Sequence, residues 1–467
     1  MKPASHLPPA SPALVTQRAA QRLPRIALLL FCAAYVLPGL LGRDPWKNED
    51  IAAFGHMWSL ALGQASWFHP HVGGVVPHSG GILPYWLGGG AIALLSPWLD
   101  PALAARLPFA ALLAGILALT WYATYELAHT DAAQPLPLAF GGEARPQDYA
   151  RAVADGALLA LIASLGLLQL GHETTPELLQ LSGSALLLYG LAASAHHPKA
   201  ARVATLASLP VMAASGSPAV SMLLGAASVL VCLRSQQGDM RGHLRWVLAS
   251  TALAALIATA LTWGGLAGWS WRVAQEWHPS AIAQLLIWFT WPTLPLAALT
   301  CWHWRHHLRR RHIAVPLLAA LVGLIASVAM GANERALLAA LLFGLALITT
   351  QFALRHMDGL AGAKVSITSS MILWWLLVPL KGLDGASAPG VAIFAAAGLF
   401  FPVSVTLLAY AANRHLGPTI AGAIGSTAPL FAVVGAVVFL GERLGFTQVA
   451  AIIAIVAGSI VLSLRHG

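Results

Sequence analysis

Long uninterrupted apolar runs recur along the whole 467-residue chain, and they constrain its fold more than any other feature. Hydrophobic residues make up 58% of the sequence and charged residues only 9%, whereas a soluble globular domain carries about 25% charged residues. That balance excludes a water-soluble domain, and it excludes disorder, which requires low hydrophobicity and high charge. The runs are continuous and rich in Leu and Ala, whereas strands of a transmembrane barrel alternate. The sequence therefore predicts an all-α polytopic membrane protein.

We predict about 14 transmembrane helices, because one span needs roughly 20 apolar residues. The run 82–98 is not counted among these helices. It contains Pro84, three consecutive glycines and Pro97, which suit an interfacial helix better than a span. The predicted spans are 25–41, 103–127, 152–170, 176–195, 203–215, 217–233, 246–263, 282–301, 314–331, 336–354, 365–381, 388–412, 419–440 and 446–464.

Basic residues decide the orientation of these spans. With 82–98 at the interface and residues 1–24 as a cytoplasmic tail, 19 of the 26 Lys and Arg residues fall on the cytoplasmic side, as the positive-inside rule requires. A full crossing by 82–98 would turn the basic segment 303–312 outward. Both termini are therefore predicted in the cytoplasm of a bacterial inner membrane, with the periplasm on the other side. Topology explains the net charge of +9, so membrane lipids and not nucleic acid are the predicted surroundings.

Two acidic segments, far apart in the sequence, emerge on the predicted outer face. The first follows the first span and contains Glu49 and Asp50, and the second is a short turn with His172 and Glu173. Carboxylates at a membrane surface can act as general bases or bind a metal ion. Each acid taken alone is more often a solvated loop residue, so the prediction of a site depends on the two segments meeting.

The outer loop of residues 43–98 is long enough to indicate a function. Apolar residues after Glu49 recur at helical spacing, which predicts an amphipathic helix on the outer surface. A second interfacial helix is predicted from the Pro-Tyr-Trp sequence at 84–86. His69 and His71 lie two residues apart without a third ligand, so we predict interfacial histidines and no metal site.

A further outer loop, 264–281, offers a cation and several tryptophans. Arg272 is the outer cation that suits a phosphate best, because a guanidinium matches phosphate geometry. The tryptophans fit a surface for stacking sugars, and an aromatic belt at the membrane interface explains them equally well. The three cysteines, Cys32, Cys232 and Cys301, show neither metal-ligand spacing nor a disulfide framework.

The order of these features resembles a known family. A first span leads into Asn48, Glu49 and Asp50, a surface helix and a Pro-Tyr-Trp interfacial helix follow, and a second acidic turn comes after the third span. In this order, residues 25–335 resemble the GT-C membrane glycosyltransferases, specifically the protein-mannosyltransferase and lipid A aminoarabinose-transferase group. The resemblance implies a polyprenyl-phosphate sugar donor and a lipid or other envelope acceptor.

The same resemblance implies roles for named residues. Glu49 aligns with the Glu of the family's motif and Asn48 with its Asp; since an amide cannot accept a proton, Glu49 or Asp50 would be the base. Glu173 would orient the substrate or a divalent cation, which remains open as a cofactor. The family often has a Lys that contacts the donor phosphate; His78 or Arg272 would replace it here. The remaining substrate-binding candidates are Asn48, Tyr85 and His172.

The last part of the chain resembles a different family. Its motifs are Leu-Gly-Pro at 416–418, Ser-Thr-Ala-Pro-Leu-Phe at 426–431 and Leu-Gly-Glu-Arg-Leu at 440–444. On these motifs, residues 338–465 resemble a single EamA unit of the drug/metabolite transporter superfamily, so 336–467 is predicted as a transporter-type domain. One unit implies a partner or a second copy of the chain for any transport pathway.

Three functions stay open at this point. The chain could be a glycosyltransferase with an appended flippase-type module. It could be an EamA-type transporter of small molecules or lipid carriers, with a degenerate transferase-like N-terminal region. It could also be an inactive fusion with a structural or regulatory role.

Overall fold

The structure is a computed structural model. It describes residues 15–17, 20, 24–40, 44–46, 48–78, 80–135, 141–162, 167, 171–235, 238–266, 268–269, 278–280, 282–283, 301–302, 305–307 and 310–330. Arg272, most of the predicted span 282–301 and the whole EamA-like segment lie outside these residues. The chain divides into two compact units, one formed by Met1–Leu23 with Arg43–His356 and the other by Pro24–Gly42 with Met357–Gly467.

The described residues are mostly helical, as predicted, and their only β-bridges are isolated pairs. The first helix belongs to the second unit and the others to the first unit. The α-helices of the described residues are α1, Arg25–Leu40; α2, Asn48–Ala61; α3, Leu83–Leu95; α4, Pro101–Ala128; α5, Pro146–Ile162; α6, Pro176–Ala193; α7, Pro198–Ala214; α8, Pro218–Arg234; α9, Gly238–Trp263; and α10, Arg311–Met330.

Two of these helices, α4 and α9, are long and apolar enough to cross a membrane. No charged residue lies between Arg106 and Glu126 in α4, or from Trp246 to Trp263 in α9. At 1.5 Å per residue these stretches measure about 30 Å and about 26 Å, close to the thickness of the hydrocarbon core. The 13 residues of α3 measure only about 20 Å, and the interfacial position of this helix stays a prediction.

The long helices of the first unit run between two ends of one bundle. One end contains the hydrogen bond between Asp50 and Thr174, and we name it the Asp50 end. The other contains the ion pair between Arg311 and Asp239, and we name it the Arg311 end. α9 connects them, since Asp239 lies in its first turn and Leu261 packs against the segment that leads into α3. The predicted alternation of loops between two faces therefore holds for these elements.

Arg311 closes the C-terminal end of α6. Its side chain is only 4% exposed and pairs with Asp239 at 2.8 Å. It also donates to the Ala192 carbonyl and to the Ser194 hydroxyl, both at 2.7 Å. The last carbonyls of a helix lack partners within the helix and carry the negative end of its dipole. Arg311 belongs to the basic segment 303–312, and it is nevertheless buried in the bundle.

Two glycines allow α6 and α7 to approach closely. A β-carbon added at Gly183 would lie 2.6 Å from the Ser208 carbonyl oxygen, and one added at Gly190 would lie 3.0 Å from the Ala201 carbonyl oxygen. The two glycines are seven residues apart and therefore share one face of α6. Small residues at such contacts are typical of helices that pack within membranes.

Replacement of Gly183 by valine is expected to destabilise the protein by about 1–3 kcal/mol, the usual cost of overpacking. The added side chain would meet backbone atoms of α7, which cannot rotate away. Thermal denaturation of the detergent-solubilised chain measures this effect. Gly115→Val is the matched control, since a β-carbon at Gly115 meets nothing within 4 Å. Equal melting temperatures for the two variants would contradict the close contact.

Candidate functional site

α2 carries the acidic motif in its first turn and buries one of its faces. Glu49, in the same first turn, is exposed. α3 packs against the buried face, where a β-carbon added at Gly88 would collide with the Met57 side chain. The buried positions of α2 include a series with intervals of three or four residues, as in an amphipathic helix: Asp50, Ala53, Met57 and Leu60, with His56 and Ser59 buried beside them.

Asp50 binds the second acidic segment directly. Its Oδ1 accepts hydrogen bonds from the backbone N–H and the hydroxyl of Thr174, both at 2.8 Å. Its Oδ2 accepts from the backbone N–H of Trp46 at 3.2 Å, and the side chain is 1% exposed. Two segments 124 residues apart therefore meet, as the predicted topology required. Because both carboxylate oxygens are engaged, Asp50 holds the two segments together.

The turn that Asp50 contacts is itself buried. Glu173 is 3% exposed and Thr175, which precedes α6, is 1% exposed, whereas His172 is half-buried. In the described part of the chain, the Thr175 hydroxyl has no hydrogen-bond partner. Gly171 opens the turn and packs against Leu113 of α4. The turn thus places a buried carboxylate and an unengaged hydroxyl next to the start of α2.

Tyr85 contacts a histidine that the sequence analysis did not select. Tyr85 of α3 is 3% exposed, and its ring meets that of His56 edge-on, with centroids 5.4 Å apart. His56 lies on the buried side of α2, and neither its Nδ1 nor that of His71 has a hydrogen-bond partner within the described residues. Burial, and then the proximity of His71, lower the pKa of His56 below its usual value. A neutral imidazole offers one donor and one acceptor to a ligand.

Arg106 is a buried cation of the Asp50 end that the sequence patterns did not single out. It is 4% exposed. It lies on α4 about two turns before Leu113, the residue that packs against Gly171. Guanidinium groups are suited to phosphate oxygens, because their N–H donors match phosphate geometry. Arg106 is therefore a second candidate, besides Arg272, for contact with a phosphate.

The other predicted residues are not brought together in the same way. Asn48 begins α2, next to Glu49. His78 is exposed in the segment between α2 and α3, and no contact joins it to Asp50 or Thr174 in the described part of the chain. Arg272 lies outside the described residues. The site at the Asp50 end therefore consists of the start of α2, the turn 171–175, and Tyr85 with His56.

These residues do not form a ligand set for a resident metal ion. Calcium and magnesium prefer six or more oxygen ligands. In the residues that the structure describes, no group of three or more His, Cys, Asp and Glu side chains is arranged to hold a metal. The oxygens of Asp50 accept hydrogen bonds from Thr174 and Trp46 instead.

One family model matches the last part of the chain. Residues 335–464 match the EamA-like transporter family, which confirms the resemblance predicted for 338–465. No match was found among curated proteins.

Solved structures match nearly the whole chain. The crystal structure of ArnT from Cupriavidus metallidurans bound to undecaprenyl phosphate has a TM-score of 0.54 and 14% sequence identity, and the match covers 95% of this chain and 76% of that one. The same protein in the apo state has a TM-score of 0.55 and 14% identity, covering 95% and 75%. The chain therefore has an all-α membrane fold like that of ArnT, with an EamA-like segment at its end.

Proposed function

We propose that the chain is a GT-C-type membrane glycosyltransferase that transfers a sugar from a polyprenyl-phosphate donor to a lipid or other envelope acceptor. The Asp50 end faces the periplasm of a bacterial inner membrane, and both termini face the cytoplasm. The observation that carries the proposal is the bond from Asp50 to Thr174, since it joins the helix of Glu49 to the turn of Glu173. The likeness to ArnT, one structure of which contains undecaprenyl phosphate, supports a polyprenyl-phosphate donor.

In the proposed reaction, Glu49 acts as the general base. It takes the proton of the acceptor hydroxyl as that oxygen forms a bond to the anomeric carbon of the donor sugar. The bond between this carbon and the phosphate oxygen breaks, and the polyprenyl phosphate leaves with the electron pair. Arg106 or Arg272 stabilises the charge that develops on the phosphate. The chemistry needs no redox partner, and no step is assigned to a metal ion.

Other residues of the site position the substrates. Asp50 fixes the start of α2 on the turn 171–175, where Glu49 of the same first turn remains exposed. Glu173 orients the acceptor, and Tyr85 with His56 forms one wall for the sugar. An aromatic ring beside a neutral imidazole provides both an apolar surface and hydrogen bonds. A sugar has both an apolar face and hydroxyl groups, so the two are complementary.

Replacement of Asp50 by alanine is expected to destabilise the protein by about 1–3 kcal/mol, because buried donors of Thr174 lose their acceptor. Asp50→Asn keeps one carbonyl oxygen as an acceptor and is expected to lose less. Thermal denaturation of the solubilised chain compares the two variants. An alanine variant as stable as the unmodified protein would contradict the structural role of Asp50.

The EamA match at 335–464 favours a second activity, the movement of a lipid-linked carrier across the membrane. Burying a sugar-phosphate headgroup in hydrocarbon is costly, so a donor made in the cytoplasm needs a protein route. In this role the C-terminal segment supplies the donor to the transferase site and works with a partner or a second copy. A transporter with an inactive transferase-like region is the alternative.

Two point variants of the full chain distinguish these functions. In proteoliposomes supplied with labelled polyprenyl-phosphate sugars and envelope lipids, Glu173→Gln is expected to lower sugar transfer by about 10²-fold, the cost of a misplaced substrate, and to leave donor translocation unchanged. Glu442→Gln, in the C-terminal motif, is expected to do the reverse. Absence of any transfer by the unmodified chain, with translocation intact, would reject the transferase and favour the transporter.

A further inference from the structure

Two arginines converge on one tryptophan at the Arg311 end. The Cζ atoms of Arg202, on α7, and Arg245, on α9, lie 5.6 and 5.5 Å from the centroid of the Trp246 ring. Each contact is a favourable cation–π interaction. In the described part of the chain, neither guanidinium forms an ion pair with a carboxylate. The cluster therefore concentrates two positive charges that no carboxylate of the described residues pairs with.

Trp246 adds a further donor to this cluster. Its Nε1 is buried and has no hydrogen-bond partner among the described residues. An indole N–H can only donate, and it usually finds an acceptor when it is buried. Two guanidinium groups and one N–H thus form a set of donors for which the described residues supply no acceptor. A phosphate group, with several anionic oxygens, is the complementary ligand.

α9 places this cluster at the level of lipid headgroups. Trp246 begins the uncharged stretch of α9 that ends at Trp263, and tryptophans typically mark both edges of the hydrocarbon core. Arg245 directly precedes the stretch, on the side where phosphates of lipids lie. The opposite end of the stretch is about 26 Å away, so the cluster is separate from the site at the Asp50 end.

We propose that Arg202, Arg245 and Trp246 form a binding site for the phosphate of an anionic glycerophospholipid in the leaflet at the Arg311 end. The phosphate oxygens accept hydrogen bonds from both guanidinium groups and from the indole N–H. The lipid neutralises the repulsion between the arginines and connects α7 to α9, because each helix supplies one arginine. This site does not depend on the proposed transferase reaction.

Native mass spectrometry of the purified full chain tests the proposal, with phosphatidylglycerol and phosphatidylcholine as probes. Phosphatidylglycerol is expected to bind more tightly than phosphatidylcholine. Arg202→Gln and Arg245→Gln are each expected to weaken phosphatidylglycerol binding by about five-fold, the usual effect of one basic residue at an anionic lipid surface. Lys199→Gln, which removes an exposed charge from the same turn of α7, is the control and is expected to leave binding unchanged.

Trp246→Phe keeps an aromatic ring for the two arginines and removes the N–H together with the five-membered ring of the indole, so it tests the contribution of the N–H donor. A several-fold weaker binding of phosphatidylglycerol is expected for this variant. Equal binding of the two lipids would overturn the proposal, as would an equal loss in Lys199→Gln. Displacement of phosphatidylglycerol by excess inorganic phosphate would also overturn it, since the site would then bind a free anion.

Discussion

Replacement of Glu49 by glutamine is expected to lower the rate of sugar transfer by about 10²–10⁴-fold, the contribution of a positioned general base. Glu49 is exposed in the first turn of α2 and has no hydrogen bond or ion pair within the described residues. The neighbouring Asp50 has both oxygens engaged. Glutamine keeps the size and polarity of the side chain but cannot accept the proton of the acceptor. Initial rates with a labelled donor in proteoliposomes measure the effect.

Asp44→Asn is the matched control for Glu49→Gln. Asp44 is an exposed acid of the same segment, and its loss is expected to change the transfer rate by less than about two-fold, as for a surface charge. A wild-type rate in Glu49→Gln would remove Glu49 as the base. An equal loss in both variants would show that the segment acts only through its negative charge.

Replacement of Arg311 by leucine is expected to destabilise the protein by about 3 kcal/mol, the lower end of the cost of breaking a buried ion pair from one side, because the Asp239 side chain is 29% exposed. The carboxylate of Asp239 loses its partner, and the carbonyl of Ala192 and the hydroxyl of Ser194 lose a donor. The Arg311 end holds α6, α9 and α10 together, so we expect the melting temperature of the solubilised chain to fall well below that of the unmodified protein.

Two further variants isolate the contribution of Arg311. Arg305→Gln removes an exposed arginine of the same basic segment, whose contacts among the described residues are with Trp302. This variant is expected to leave the melting temperature within a degree or two. Arg311→Leu combined with Asp239→Leu is expected to recover part of the stability, because no charge then remains buried alone. A double variant less stable than Arg311→Leu alone would contradict the pairing.

The meeting of the two acidic segments could be predicted from the sequence, because it follows from topology alone. The distribution of basic residues fixes which loops share a face, and Glu49 and Glu173 lie in loops of the same face. The helix that starts at Asn48 and the short helix after Pro84 were also predictable, since their apolar patterns are local. These features depend on the periodicity of the apolar residues and on the distribution of the basic residues, and not on side-chain packing.

The difference between Glu49 and Asp50 could not be predicted. Neighbouring residues on a helix point about 100° apart, so one of two adjacent acids faces the core and the other does not. Which one does so depends on the position of Thr174, a residue of a remote turn. The apolar spacing does not separate the two acids, because Ala53 and Leu60 lie on the same side of the helix as both of them, although it does place His56 toward the core.

Arg311 shows a second limit of sequence reasoning. The segment 303–312 has the composition of a topology determinant, and nothing in it distinguishes Arg311 from its neighbours. Its burial becomes necessary only because the end of α6 leaves carbonyl groups without partners. Arg106 is a similar case, since a buried arginine near the start of an apolar helix has the same sequence signature as an interfacial one.

The position of a bound polyprenyl phosphate tests the central claim most directly. Cryo-electron microscopy of the full chain with undecaprenyl phosphate is expected to show the phosphate at the Asp50 end, between the start of α2 and the turn 171–175, within reach of Arg106 or Arg272. Glu49 would then face the sugar side of the phosphate. A lipid phosphate bound only at the Arg311 end, or Glu49 turned away from the ligand, would contradict the proposed transferase site.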